Sequence, residues 1–412
     1  MLVTTQFPCG NGRVRWYAKD DFEVELIAYS KGARYTCFKI AGLERDQRRE
    51  VVLRPDACFE GSFAGLCAKI WIKRSQYGEW QPLDDAQVRC EPEAIRFTVD
   101  LYKGEECYFS TEPPREYVAT TQELFEIAAR QPEIASVHCI GHSIEHRPIF
   151  LLRVSDRANR CAIGEERVPV VTLEAGEHAT EFSGEEMARG MLAHLCGDSP
   201  EAETLRREFI FDVVLNINPD GNFHGWHQYN AKDWREHHYG VVVDRSWHHE
   251  FEPYLSGETA AVSPETRAFS DWIVRTRASF VIGFHSWLGH DGNPGAFYAD
   301  PRLLSPESGA MISELNRSAQ AAAAEIGVGF EVFPNSNLCG GHLGPYLMKN
   351  DLCLAYTLEG HMNLGREKLR ELGVRLLHHW LGNERLKVRE SRAPRWDAWR
   401  REREGATASA MV

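Results

Sequence analysis

The sequence lacks any apolar run long enough to cross a membrane. No stretch approaches the roughly 18 consecutive apolar residues that a membrane-spanning helix requires, and residues 1–9 lack the charged and then apolar pattern of a secretory signal. The eleven cysteines are an odd number, and no two of them form a Cys-x-x-Cys pair. This usage favours reduced, mostly buried thiols over a disulfide framework. We therefore expect a cytoplasmic protein with no membrane partner.

Basic residues are also in the minority. The chain has 47 lysines and arginines against 60 aspartates and glutamates, which gives a net charge of -13 at pH 7. This balance argues against nucleic acid as a partner, because binding to phosphates relies on positive charge. It also means that an acidic substrate would need a local pocket of arginines, since the net charge would not attract it.

What the sequence does have is an apolar strand, within residues 168–181, that runs into His178-Ala-Thr-Glu181. Imidazole and carboxylate together suit a borderline cation such as zinc, and a catalytic zinc site needs three protein ligands and one open position. A second apolar run, residues 278–287, contains His285 near its end. Because a parallel sheet brings strand ends together, we predict one Zn²⁺ per chain held by His178, Glu181 and His285. The alternative is a surface helix cap with a structural histidine.

A third apolar run is followed by Glu359. At the same edge of the sheet this carboxylate could take a proton from water activated by the metal, so we predict that it is the general base. Two arginines, Arg235 and Arg245, lie between the strands that carry the predicted ligands. A guanidinium group is the planar, permanently charged fork that suits a substrate carboxylate.

Aromatic and histidine side chains surround these motifs. Trp287 lies two residues after His285 and is predicted to face the substrate. The loops contain further histidines, among them His224 and His227. We expect these to bind substrate or to face water rather than to hold a second metal.

The order of these features over residues 117–380 resembles the zinc carboxypeptidases of the carboxypeptidase A type, nearest the branch called cytosolic carboxypeptidases. Seven short motifs in one order are far more specific than any one of them. They are Gly141-His-Ser-Ile-Glu-His-Arg-Pro-Ile149, His178-x-x-Glu181, Asn218-Pro-Asp-Gly221, Trp234-Arg235, Arg245, His285-Ser286 and Thr357-Leu-Glu359.

The resemblance implies a role for several residues. In that family the residue at Arg235 stabilises the oxyanion, the residue at Arg245 clamps the terminal carboxylate of the substrate, and the residue at Glu359 is the general base. The family usually reads Val-Asp-x-Asn-Arg before a tryptophan, whereas this chain has Asp244 directly before Arg245. Asp244 either replaces the asparagine that holds the substrate or, with two residues deleted, is an aspartate that orients a metal ligand.

The predicted activity is that of a zinc metallocarboxypeptidase, a hydrolase that cleaves the C-terminal amide bond of a peptide or protein tail. Asp244 in place of asparagine would repel a substrate carboxylate, which favours an alternative: a deacylase or amidase acting on N-acyl amino acids or cell-wall peptides. A second alternative is a non-catalytic binding module that uses the same fold.

The predicted fold class is α/β, with a mostly parallel or mixed central sheet flanked by helices and preceded by an antiparallel β-sandwich. Residues 1–115 alternate apolar and polar side chains between turn residues, which indicates the sandwich. Residues 116–385 alternate strands and helices, with helices predicted at residues 264–277, 307–326 and 366–380. This alternation indicates the α/β catalytic domain. Residues 386–412 form a charged tail. Its start is either a last surface helix or, as we expect, part of a solvated tail. A chain of 412 residues with 43% hydrophobic composition is long enough for two such domains.

Overall fold

The computed structural model describes residues 1–16, 22–26, 35–55, 69–227, 229–232, 247–257, 262–287, 292–335 and 342–410. The chain divides into two compact units. The first unit comprises Met1–Tyr117, His178–Phe182 and Asp220–Tyr229, and the second comprises Val118–Glu177, Ser183–Pro219 and Asn230–Val412. In the described part of the chain, no helix combines the length and the apolar composition needed to span a membrane.

The first unit contains two five-stranded sheets. The strand order of one is β1 (Leu2–Thr4), β4 (Cys37–Ala41), β10 (Cys107–Ser110), β6 (Trp71–Lys73) and β7 (Gln81–Pro82). The order of the other is β2 (Arg13–Trp16), β3 (Phe22–Leu26), β5 (Gln47–Pro55), β9 (Ala94–Leu101) and β8 (Val88–Glu91).

One buried cluster includes side chains from both of these sheets. Phe38 of β4 and Phe109 of β10 stack with their ring centroids 5.2 Å apart, and Phe97 of β9 lies 5.5 Å from Phe109. The predicted antiparallel sheet is therefore present at the N-terminus. One detail differs, because β3 and β5 pair in parallel. Alternation of apolar and polar residues does not predict β5, because its sequence Gln-Arg-Arg-Glu-Val-Val-Leu-Arg-Pro begins with four polar or charged residues.

The second unit is built on an eight-stranded mixed sheet. Its order is β11 (Ala135–His142), β12 (Pro148–Val154), β14 (Ile210–Val214), β13 (Val170–Ala175), β15 (Phe280–Trp287), β18 (Leu354–His361), β16 (Gly295–Ala299) and β17 (Glu331–Asn335). Strands β14, β13, β15 and β18 pair in parallel. All residues of β13 and β14 are buried, as expected for parallel strands covered on both faces.

Helices flank this sheet, and the fold class matches the prediction. The described α-helices are α1 (Tyr117–Arg130), α2 (Phe182–Leu195), α3 (Pro200–Glu208), α4 (Pro219–His224), α5 (Phe251–Leu255), α6 (Pro264–Thr276), α7 (Pro306–Glu325), α8 (Leu343–Lys349), α9 (Arg366–Leu381) and α10 (Ala393–Ala410). Short 3₁₀ turns cover Asp85–Gln87, Arg157–Asn159, Trp247–Glu250, Pro301–Leu303 and Glu384–Leu386. Two of the described α-helices follow a serine whose side chain accepts a backbone N–H, namely Ser199 before α3 and Ser305 before α7.

The start of the C-terminal segment includes a helix, as one of the two alternatives allowed, but part of it is buried and not solvated. Trp396 in α10 is 0% exposed, and its Nε1 donates a hydrogen bond to the carbonyl of Ala278 at 2.9 Å. Arg395 donates to the carbonyl of Asp351 at 3.0 Å. Burial of an indole removes a large apolar area from water. The resulting stabilisation outweighs the preference of the neighbouring charged residues for solvent. The domain boundaries at residues 115 and 385 stay predictions.

Candidate metal centre

Strand β13 leads directly to the His-x-x-Glu motif. It ends at Ala175, and Gly176 follows with a positive φ of 79°, a conformation that glycine adopts without steric cost. A Cβ atom on Gly176 would lie only 3.0 Å from the Cα of Asn216. A side chain at this position would therefore disturb the turn that precedes Glu177 and His178.

His178 and Glu181 face each other within the first unit. The Nδ1 atom of His178 lies 3.0 Å from Oε1 of Glu181, and the backbone N–H of Glu181 donates to the carbonyl of His178 at 3.1 Å. The two side chains are 15% and 6% exposed. Because zinc–ligand bonds are about 2 Å long, both atoms are close enough to bind one ion.

His227 is the third member of this cluster, and sequence reasoning missed it. Its Nε2 atom lies 3.3 Å from Oε1 of Glu181, and its side chain is 8% exposed. His227 is buried, so it does not face water, which was one of the two alternatives for this histidine. One ligand atom from each of His178, Glu181 and His227 lies within 4.8 Å of the others. Two imidazoles and one carboxylate are a donor set that fits zinc.

A buried amide holds this cluster to the N-terminal part of the first unit. The side chain of Asn222 accepts the backbone N–H of Tyr117 at 2.8 Å and donates to the carbonyl of Arg115 at 2.9 Å. It also donates to the carbonyl of Ala179, between the two motif residues, at 3.4 Å. Cys9 adds a thiol contact to Asn222 at 3.5 Å. Asn222 therefore joins three segments that are far apart in the sequence.

His285 lies in the second unit, in a cluster with two carboxylates. Its Nε2 atom is 3.8 Å from Oε2 of Glu177, and Glu174 contributes the third atom of a group within 4.8 Å. In the parallel register of β15 and β18, His285 is paired with Glu359. The predicted ligand and the predicted base thus lie side by side on neighbouring strands. Whether His285 joins His178 and Glu181 on one ion stays a prediction.

Trp287, the predicted substrate contact, packs against two phenylalanines. Its ring lies 5.5 Å from that of Phe297 and 5.3 Å from that of Phe333, both edge to face. Its Nε1 donates to the carbonyl of Asn293 at 3.1 Å. These contacts hold the indole in place, and its contact with substrate stays a prediction. Arg235, Asp244 and Arg245 lie outside the described residues.

Each of the two groups of imidazoles and carboxylates is a donor set that suits a divalent metal ion. The model of the family described as zinc carboxypeptidase matches residues 120–326, which is half of the chain. The chain belongs to the zinc carboxypeptidase family, a family of metallopeptidases that bind Zn²⁺. The family resemblance and the zinc cofactor predicted from the sequence are therefore confirmed.

Known relatives are distant. The chain is 24% identical over 332 residues to cytosolic carboxypeptidase 1 of Mus musculus, a match that covers 71% of this chain but only 26% of the mouse protein. It is 30% identical over 143 residues to the inactive metallocarboxypeptidase ECM14 of Ajellomyces capsulatus (strain H143), covering 32% of this chain and 23% of that protein. The chain thus spans about a quarter of the length of these curated relatives.

The fold has a solved counterpart in the metallo-carboxypeptidase from Burkholderia cenocepacia. The two superpose with a TM-score of 0.73 over 92% of this chain and 98% of that chain, at 19% sequence identity. This match supports the predicted fold class.

Proposed function

We propose that this chain is a zinc-dependent metallocarboxypeptidase that hydrolyses the C-terminal amide bond of a peptide or protein tail. One observation carries the proposal. His178 and Glu181, the two ends of the His-x-x-Glu motif, face each other at 3.0 Å within a region that matches the zinc carboxypeptidase family. Neither the motif nor the family match would be sufficient alone.

His178, Glu181 and His285 hold the ion in this proposal. Bound zinc would supply a Lewis acid that polarises a carbonyl and makes water a stronger nucleophile. The donor chemistry of two imidazoles and a carboxylate supports this assignment. So do the burial of Glu181 and His285 and the partial burial of His178, since a dry site strengthens electrostatic interactions. Glu174 and Glu177 lie beside His285 and orient its imidazole.

Glu359 is the general base. It takes a proton from the attacking water and passes it to the leaving amine. Its pairing with His285 across β15 and β18 supports this role, because it puts the carboxylate next to a proposed ligand. Arg235 donates hydrogen bonds to the oxygen on which negative charge develops, and Arg245 holds the terminal carboxylate of the substrate.

The substrate is a peptide or protein C-terminus in the cytoplasm. The name of the mouse relative supports this location, and the net charge of -13 argues against nucleic acid as a partner. A small amide is the second candidate substrate. It is favoured by Asp244, because a carboxylate beside Arg245 weakens the attraction for a second carboxylate.

The proposal is tested first by the metal content of the purified chain. We expect one zinc per chain in the wild type and none in the double variant His178→Ala, Glu181→Ala, measured by elemental analysis. A wild-type chain that binds no zinc would have to be regarded as a binding module without a metal. A chain with zinc is then assayed on peptides with free C-termini and on N-acyl amino acids, and the better substrate class decides between peptidase and amidase.

The role of Glu359 is tested by Glu359→Gln. We expect this variant to keep its zinc and to lose about 10²- to 10⁴-fold in kcat, the usual contribution of general acid–base catalysis. Glu367→Gln, on the exposed first turn of α9, serves as the matched control and should keep full activity. Equal activity of the two variants would rule out Glu359 as the base.

A further inference from the structure

Two imidazoles converge on a single carboxylate oxygen in the first unit. Oε1 of Glu181 lies 3.0 Å from Nδ1 of His178 and 3.3 Å from Nε2 of His227. His178 belongs to the predicted ligand motif, whereas His227 belongs to neither the motif nor the predicted site. The predicted site therefore does not explain why a second imidazole contacts Glu181.

The other nitrogen of His227 is also engaged. Its Nδ1 lies 2.8 Å from the hydroxyl oxygen of Thr180, which is the residue next to Glu181. A carboxylate only accepts hydrogen bonds, so a favourable contact requires a proton on Nε2 of His227. In the neutral ring Nδ1 is then an acceptor, and the Thr180 hydroxyl must donate to it. The three side chains thus form a directed chain from hydroxyl to imidazole to carboxylate.

The backbone holds His227 in this position. The carbonyl of His227 accepts the N–H of Ala179 at 2.9 Å, which ties it to the turn that carries the motif. The N–H of Trp226 donates to the carbonyl of Gly221 at 2.8 Å. Because the backbone of its neighbours is fixed in this way, the imidazole points at Glu181 with little rotational freedom.

We propose that His227 is a positioning residue for Glu181, with Thr180 selecting the tautomer that donates. This inference rests on the proposed function, in which Glu181 is a zinc ligand. A ligating carboxylate has two oxygens, and a donor fixed on one of them restricts how the group presents itself to the ion. Both nitrogens of His227 have side-chain partners, Glu181 and Thr180, so in this proposal His227 acts on the carboxylate and not on the ion.

The test is the affinity for zinc of the full chain, measured by competition with a chromophoric chelator. We expect His227→Ala to bind one zinc with a Kd raised about 10- to 100-fold, the usual effect of losing a partner of a metal ligand. Thr180→Val should also raise Kd, but by a smaller factor. The imidazole remains in this variant, but the Thr180 hydroxyl no longer selects its tautomer. His227→Gln keeps an N–H near the position of Nε2 and should recover part of the affinity.

His224→Ala is the matched control, because it removes an imidazole at the end of α4, three residues before His227, together with its stacking on Trp226. We expect its Kd to stay within about twofold of wild type, since the partners of Glu181 are kept. The absorption spectrum of the cobalt-substituted protein gives a second readout. It should be the same in His227→Ala as in wild type, because no ligand is lost.

Each of the remaining outcomes is decisive. Unchanged affinity in both His227→Ala and Thr180→Val, with one zinc per chain in wild type, would overturn the inference and leave the proposed function intact. A cobalt spectrum that loses a nitrogen ligand in His227→Ala would show that His227 binds the ion directly, which also contradicts the inference. A wild-type chain without zinc would overturn the proposed function and this inference together.

Discussion

At the scale of single residues, two histidines outside the candidate metal centre form a contact that depends on protonation. Nε2 of His194 lies 3.0 Å from Nε2 of His378, and the rings meet edge to face. Burial lowers the pKa of His194, and the adjacent His378 lowers it further, while Glu201 acts in the opposite direction. Burial also lowers the pKa of His378, against the raising effect of Glu201 and together with the lowering effects of Arg375 and His379.

This pair predicts a loss of stability in mild acid. The folded pKa values lie below the unfolded value of about 6.5, so the unfolded chain binds more protons as the pH falls through about 6.5. The free energy of unfolding therefore decreases toward acid over this range. We expect the double variant His194→Gln, His378→Gln to show a flatter pH dependence than wild type in urea denaturation between about pH 5 and 7.

The exposed His146→Gln is the control for the change in histidine number, and it should keep the slope of wild type. A double variant whose stability still falls as steeply as that of wild type would mean that the pair does not contribute to the acid sensitivity.

At the scale of elements, α2 and α9 approach closely through two glycines. A Cβ atom on Gly190 of α2 would lie 2.2 Å from the carbonyl oxygen of Arg370, and one on Gly373 of α9 would lie 2.2 Å from that of Met187. Glu186 adds ion pairs to Arg370 at 2.7 Å and to Arg366 at 3.4 Å. The absence of side chains at two positions, more than helix propensity, determines how these helices pack.

We predict that Gly373→Ala destabilises the protein by about 1–3 kcal/mol, the usual cost of overpacking. The clash with the Met187 carbonyl outweighs the gain of about 1 kcal/mol in helix propensity. Urea denaturation measures the difference in the free energy of unfolding between Gly373→Ala and wild type.

Gly309→Ala in α7 is the matched control. Its Cβ would meet the Pro301 side chain at an ordinary 3.7 Å, so it should stabilise the protein by up to about 1 kcal/mol. If both variants gain stability, the close approach of α2 and α9 is not as tight as described.

At the scale of the whole molecule, one compact unit is assembled from three separate parts of the chain. The N-terminal Met1–Tyr117 forms a unit with His178–Phe182, which holds the metal motif, and with Asp220–Tyr229, which holds His227. Asn222 is buried at this junction, 3% exposed. The N-terminal sheets therefore have a direct structural connection to the residues proposed to bind zinc.

We predict that Asn222→Ala both destabilises the protein and weakens zinc binding. Loss of a buried amide that bonds several backbone groups costs about 1–3 kcal/mol, and the turn at Ala179 loses one of its supports. Thermal unfolding and chelator competition measure the two effects separately.

Asn159→Ala is the comparison, because Asn159 bonds the carbonyls of Arg206 and Arg207 within the second unit. It should lower stability and leave zinc affinity unchanged. Equal zinc affinity in Asn222→Ala and wild type would mean that the N-terminal part of the chain does not support the metal motif.

Local patterns in the sequence were sufficient to predict many of the elements. Residues 264–277 and 307–326 were predicted as helices, and the structure has Pro264–Thr276 and Pro306–Glu325. Apolar spacing and the serine or proline at the helix start are properties of neighbouring residues, so they can be read without the fold. Strand β5 could not be predicted in this way, because apolar and polar residues do not alternate in its polar and charged first half.

By itself, then, the sequence determined the fold class, the family and the contact between His178 and Glu181, since all three depend on residues that are close in the chain or on motifs in a fixed order. Only the tertiary structure decided that His227 and Asn222 join the motif and that Trp396 is buried. His227 is separated from Thr180 by 47 positions, and no periodicity extends over such a distance. These partners are set by the packing of distant segments. That packing places an imidazole against one carboxylate and an indole in the core.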